Sequence, residues 1–246
     1  MRASVFAAAV ALFAVGSALA ADAPRYVASA IADSARPKDD TDADALRDPA
    51  DTLALAGVKP GMVVGELFPG GGYYTRLLSD IVGPKGRIVG IENTGWKGAV
   101  EDDQKMIAAL PVHNVTLDPE SFGAFTLPQK IDLFWITQNY HDLHIAKYGA
   151  VDLADFNHRV FAALKPGGVY FILDHQANAG TTPEQIAVLH RIEKAQVIRE
   201  VTAAGFRLAA EGDFLHRAAD DHTKTIFDPA IRGHTDQYAL KFVKPR

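Results

Sequence analysis

The sequence predicts a doubly wound α/β fold built on a mostly parallel, seven-stranded sheet whose last strand runs antiparallel. Three observations lead there. Short apolar runs alternate with helix-length segments along most of the chain. A glycine-rich turn, Pro69-Gly70-Gly71-Gly72, follows the first of those runs. Hydrophobic residues make up 48% of 246, enough for one sizeable core in one domain.

The chain opens with Met1-Arg2, an apolar run from Ala3 to Val15, and Ala18-Leu19-Ala20. A short basic start, an apolar stretch and small residues at the end are the pattern of a secretory signal peptide. Cleavage is expected before Ala21, with export to the periplasm and no stable membrane insertion afterwards. Formal net charge is -5 and loses one further positive charge with Arg2, which disfavours nucleic-acid binding and leaves a small molecule as the expected partner. The absence of cysteine rules out disulfides, thiolate catalysis and cysteine-ligated metal.

Residues 21–46, rich in Ala and Asp, read as a lead-in with one or two helical turns, and residues 47–246 as the main domain. A helix is expected over 48–56, with Asp48 as N-cap, Pro49 at the first position and Gly57 as the stop. Met62–Phe68 is apolar without alternation, as in a parallel strand covered on both faces. Tyr73–Val82 then reads as helix, Arg87–Glu92 as strand, Ala99–Leu110 as helix and Val112–Leu117 as strand.

The alternation continues with a strand at Ile131–Thr137, a helix near Leu153–Leu164, a Lys165-Pro166-Gly167-Gly168 turn and a strand at Val169–Asp174. Thr182, Pro183 and Gln185 form a capping box that opens a long helix, stopped by Gly205. Phe206–Glu211 and Gln237–Val243 are the last strands. About 25 residues separate them, long enough to suggest a functional loop or lid.

Three successive glycines let the backbone pass close under a ligand, while the following helix aims its free N–H groups at it. Glu66 ends the first strand and Glu92 the second, where a carboxylate can accept both hydroxyls of a ribose. The 20 residues from Gly72 to Glu92 also suit a dinucleotide site, but Thr75 stands where the dinucleotide fingerprint has a third Gly or Ala.

With its acidic residue ahead of the glycines, the segment Glu66-Leu67-Phe68-Pro69-Gly70-Gly71-Gly72 resembles the first motif of class I S-adenosylmethionine-dependent methyltransferases, except that Phe68 replaces a glycine. More narrowly, Pro69–Arg76, Asn139–His144 and Asp228–Gly233 look like segments of a bacterial group of exported predicted methyltransferases. The resemblance covers about residues 47–244 and implies a Rossmann-like methyltransferase fold and S-adenosylmethionine as cofactor. It implies that Glu66, Gly70, Gly71 and Gly72 contact the methionine moiety, Glu92 the ribose and Asp118 the adenine edge, with Asn139 as a further cofactor contact. Methyl transfer to an oxygen or nitrogen of a small molecule follows as the expected activity.

Ligands in such sheets bind beyond the carboxyl ends of the strands, which makes neighbours of Gln138–His144 and Asp174-His175. His141 is expected as general base with Asp142 holding its tautomer, His144 beside it, and Tyr140 offering its ring and hydroxyl to the sulfonium. A metal site from His141, His144, Asp174 and His175 is the sharper alternative, and local capping by Asp142 and the histidines the plainer one; no metal ligand set is assigned. His190 and Glu193 read as a surface pair on the long helix. An exported binding protein without catalysis, or a metal-dependent hydrolase, remains the alternative function.

Overall fold

Strand β1 (Val63–Leu67) is the hinge of the sheet, paired with β2 (Arg87–Asn93) on one side and β4 (Ile131–Thr137) on the other. The computed structural model describes residues 23–127 and 129–246, so the segment read as a signal peptide lies outside the described residues. Beyond β2 lies β3 (Val115–Glu120), and beyond β4 come β5 (Leu164–His175), β7 (Gln237–Val243) and β6 (Arg207–Gly212), giving the order β3-β2-β1-β4-β5-β7-β6. The β1–β5 pairings are parallel, while β7 runs antiparallel to both β5 and β6, as expected for the last strand.

Side chains alternate across the sheet with period two, so β4 sends Leu133 and Trp135 to one face and Phe134 and Ile136 to the other. Both faces are covered, and this is why the strands read as unbroken apolar runs. On one face Trp135 packs with Phe171, Leu78 and Ile88, under helices α3 (Pro49–Ala56) and α4 (Tyr73–Val82). On the other, Phe134 packs with Tyr170, Phe156 and Val201, under α6 (Leu153–Ala163) and α8 (Lys194–Ala203). Helix α5 (Ala99–Ala108) lies along β2 and β3. No described helix is long and apolar enough to cross a membrane.

The lead-in holds two helices, α1 (Arg25–Ile31) and α2 (Lys38–Arg47), and both are tied to α4. Val27 of α1 is fully buried. Asp40 of α2 takes a bidentate pair from Arg76 at 2.6 and 2.8 Å, and Asp44 accepts the Tyr73 hydroxyl at 2.6 Å. Arg76 in turn donates to the Gly71 carbonyl, so the lead-in braces the glycine turn.

Three expectations shift. Strand β3 starts three residues later than the sequence suggested and carries Asp118 inside the strand, opposite Ile91. Strand β5 begins at Leu164 and absorbs Lys165-Pro166-Gly167-Gly168 at a register break against β4 between Ile131 and Leu133. The long helix is two: α7 (Pro183–Leu189), opened by the expected Thr182/Gln185 capping box, and α8. Between them Ile192 bridges to Gln176 in parallel, continuing β5, and that pairing removes residues 190–193 from any helix.

Arg191 in this break is fully buried. It pairs with Asp220 at 2.9 Å and donates to the carbonyls of Gln176 and Lys224. Asp220 also accepts the amides of His222 and Asp236, so the long connection before β7 is a folded segment laid against the end of α7. Removing one partner of a buried pair strands the other charge at a cost of about 3–5 kcal/mol. Asp220→Ala should therefore lower unfolding free energy in urea by about that much and expose residues 213–236 to limited proteolysis. An unchanged midpoint contradicts this role for the pair.

Candidate functional site

Gly70, Gly71 and Gly72 carry φ values of 51°, 79° and 84°, three consecutive left-handed residues that would cost any residue with a Cβ about 1–2 kcal/mol each. The last of them is the N-cap of α4, and a Cβ there would sit 2.6 Å from Met106 Cγ of α5. Nothing lies within 4 Å of a Cβ built on Gly71, so at this position the backbone faces open space. Phe68, which stands where the motif has glycine, also adopts a left-handed φ, of 54°. Its ring is buried against Trp96 at 4.6 Å and Phe122 at 5.6 Å between centroids, over the ends of β1 and β2.

Glu66 is buried behind this turn and accepts the Thr75 hydroxyl at 2.7 Å. Burial pushes its carboxyl up to about 8. The departure of Thr75 from the dinucleotide pattern thus has a use: a small residue in its place would leave Glu66 without a donor. Glu92 is buried as well, accepts the amide of Asn93 at 2.6 Å and faces Asp103 of α5. Burial holds both of these carboxyls above their usual range, and the neighbouring Asp103 adds to the rise at Glu92. Asp103 escaped the sequence reading because Glu101-Asp102-Asp103 looks like the solvated face of a helix.

The other two expected cofactor contacts are engaged locally, Asp118 on β3 beside β2 and Asn139 after β4. Asp118 caps the Thr126 amide at 3.2 Å on the loop after β3, and Asn139 donates to Asp142 at 2.9 Å on the loop after β4. Two clefts of about 290 and 320 Å³ open elsewhere. One is lined by Arg36, Arg76, Leu77 and Met106, the other by Asn178, Gln185, Leu189 and His222, and neither is lined by any expected cofactor residue.

After β4 the chain turns through Gln138, left-handed at φ 61°, into a 3-10 turn at His141–His144. Asp174 at the end of β5 anchors it. Fully buried, this carboxylate accepts the His141 amide at 2.8 Å, His141 Nδ1 at 2.7 Å and the His175 amide at 2.7 Å. Burial alone would depress His141, but Asp174 and Asp142 outweigh it and raise the imidazole to about 10. Burial likewise opposes ionisation of Asp142, yet His141, His190 and Asn139 hold it well below the usual range.

His190, expected on a surface, is buried against His141 with Nδ1 3.3 Å from His141 Nε2. The helix break makes it the left-handed C-cap of α7 at φ 55°, which turns its ring inward. Glu193 begins α8 instead of pairing with it. Four further candidates have these surroundings. Tyr140 is fully buried with its hydroxyl between Glu200 and Asn157, so it presents nothing to a methyl donor. His144 turns to Glu200 at 3.1 Å, away from His141. His175 gives Nδ1 to Thr235 and is driven down to about 3 by burial, so it stays neutral. As general base His141 lacks a free nitrogen, because Nδ1 meets Asp174 while Nε2 faces Asp142 and His190.

A carboxyl protonated when folded and ionised when unfolded makes stability fall as pH rises between the two pKa values. For Glu66 the window runs from about 4.5 to about 8. The urea midpoint of the parent should decline across that range, and Glu66→Gln should decline less and be the more stable protein at pH 8. Parallel curves would contradict a buried neutral Glu66.

Residues 40–120, from α2 to the end of β3, match the family model of protein-L-isoaspartate(D-aspartate) O-methyltransferase. No curated protein is similar to the chain in sequence. Among solved structures, an S-adenosylmethionine-dependent methyltransferase from Aquifex aeolicus is 19% identical, with 84% of this chain and 99% of that one covered and a TM-score of 0.57. Aeropyrum pernix fibrillarin, solved with natively bound S-adenosyl-L-methionine, is 19% identical over 82% and 76%, at 0.53. The [4+2]-cyclase SpnF is 18% identical over 84% and 80%, at 0.57. The chain has the Rossmann-like fold of these proteins, and the family model matches the third of the chain that carries the glycine turn, Glu66 and Glu92, stopping short of His141 and His144.

Proposed function

We propose that the protein is an S-adenosylmethionine-dependent methyltransferase acting on an oxygen or nitrogen of a small molecule. One observation carries the reading: a left-handed triple-glycine turn between two buried carboxylates, at the point where the strand order reverses. The family-model match over the same residues supports it.

The polar groups suit the cofactor. Glu92, next to the last residue of β2, would accept two ribose hydroxyls, Gly71 allows close backbone approach, and the first N–H groups of α4 follow the turn. Room for the adenosine is another matter. Phe68, just past β1, packs on Trp96 and Phe122, and Asp103 meets Glu92; in this proposal both side chains move aside when the adenosine enters. When bound, S-adenosylmethionine supplies an electrophilic methyl group for in-line displacement. The chain contributes positioning and the exclusion of water by Phe68, Trp96 and Phe122. A cyclase on the same fold shows that fold alone does not carry the activity. Residues 1–20 are part of the proposal as an export signal, and N-terminal sequencing of extracytoplasmic protein should begin at Ala21.

Calorimetry with S-adenosylmethionine and S-adenosylhomocysteine tests the cofactor. Binding of either is expected, and Glu92→Ala should weaken it by about 2–4 kcal/mol through lost charge-assisted hydrogen bonds. Absence of binding to both would sink the assignment. Phe68→Gly should lower the unfolding temperature, by loss of a buried ring, and at the same time tighten cofactor binding by clearing the crevice. Weaker binding would show that the ring supports the ligand instead of blocking it.

A further inference from the structure

Three donor atoms beyond β4 and β5 face a common centre. His141 Nε2 lies 3.3 Å from His190 Nδ1 and 3.3 Å from Asp142 Oδ1, and His190 Nδ1 lies 3.2 Å from that same oxygen. All three side chains are at least nine-tenths buried, at 1%, 8% and 8% exposure for His141, Asp142 and His190. Asp142 Oδ1 has no hydrogen-bond partner among the described residues. A buried carboxylate oxygen left so is costly, and the two imidazole nitrogens lie 3.2 and 3.3 Å from it.

The spacing separates two explanations. Charge-assisted hydrogen bonds close to about 2.7–2.9 Å, as His141 Nδ1 does on Asp174 at 2.7 Å. The three sides of this triangle are all longer. A tetrahedral cation held at about 2.0–2.1 Å by imidazole nitrogen and carboxylate oxygen spaces its ligands about 3.3–3.4 Å apart. The observed distances match that edge. Calcium and magnesium prefer oxygen donors in larger number, whereas two imidazoles and one carboxylate suit a transition ion.

We infer that His141 Nε2, His190 Nδ1 and Asp142 Oδ1 bind one divalent transition-metal cation of the zinc class, leaving a fourth position open. The surroundings are those of a built site. Asp174 holds His141 by its other ring nitrogen, fixing the tautomer that exposes Nε2, and Asn139 holds the second oxygen of Asp142 at 2.9 Å. His190 occupies a left-handed C-cap where glycine would be free of strain. Retaining a histidine there costs about 1–2 kcal/mol, and what the position gains is the inward imidazole.

The site adjoins the glycine turn without sharing a residue with it. Tyr148 packs 6.2 Å from the His190 ring on one side and 5.6 Å from Trp96 on the other, and Trp96 covers Phe68. The inference does not rest on the cofactor reading, and its test uses no nucleoside.

The purified full-length chain, stripped by chelator, is titrated with zinc by calorimetry, with metal content counted by atomic emission. One zinc per chain is expected. His190→Gly suits the left-handed backbone while removing the ligand, and it should lose at least about 100-fold in zinc affinity with its circular dichroism unchanged; Asp174→Asn should lose about 10–100-fold. Glu92→Ala should keep full affinity. Cobalt(II) in the parent should give the intense visible bands of four-coordination, a readout independent of whether any variant folds. Failure of the parent to bind zinc, undiminished binding by folded His190→Gly, or an octahedral cobalt spectrum would each overturn the site.

Discussion

The carboxyl edge of the sheet is organised around one buried anion, Asp174. A carboxylate with no exposure is tolerated only when donors surround it, and here two come from the turn after β4 and one from its own strand. This arrangement locks the 3-10 turn at His141 to β5, although 33 residues separate them. With Nδ1 of the ring on Asp174, the Nε2 edge of His141 is turned to the far side, and the left-handed end of α7 brings His190 to meet it. Breaking the α7–α8 helix therefore positions a side chain as well as extending β5. Arg191 makes the break permanent, since its buried charge needs Asp220 and draws the long connection over the same edge.

The other half of that edge stores a different tension. Glu66, Glu92 and Asp103 are three buried acids without a buried cation, and burial raises all three pKa values. Such a cluster weakens the fold as pH rises, and the proposed cofactor would give it a use in binding. Phe68, Trp96 and Phe122 pack on one another just past the ends of β1, β2 and β3 and form an aromatic cover at this edge. A ligand with hydroxyls to offer and a flat ring to stack would replace that cover with comparable contacts.

Elements with a local cause were legible in the sequence. Asp48, Pro49 and Gly57 bound α3 as expected, the Thr182/Gln185 capping box opens α7, and β4, β7 and α4 fall where their apolar runs and glycines place them. Failures came where a distant partner decides. Nothing within residues 182–204 announces that Ile192 will pair with Gln176, so the apolar spacing of Ile186, Leu189 and Ile192 reads as one helix, and His190 as an exposed residue. Tyr140 and His144 adjoin His141 in sequence but face Glu200 of α8, a residue 60 positions from Tyr140. Asp103 faces Glu92 only because Gly72 lets α5 pack close to the glycine turn. The glycine turn itself was legible, since its demand for left-handed backbone is written in its composition; the packing of Phe68 on Trp96 and Phe122 was not.

The account hinges on whether Phe68 and Asp103 yield to a nucleoside at the turn. A crystal structure with S-adenosylhomocysteine measures this directly. The account predicts a ribose on Glu92, the backbone of Gly71 against the ligand, and the Phe68 ring displaced from Trp96. Phe68 still stacked over a covered Glu92, with the nucleoside bound elsewhere or not at all, would contradict it.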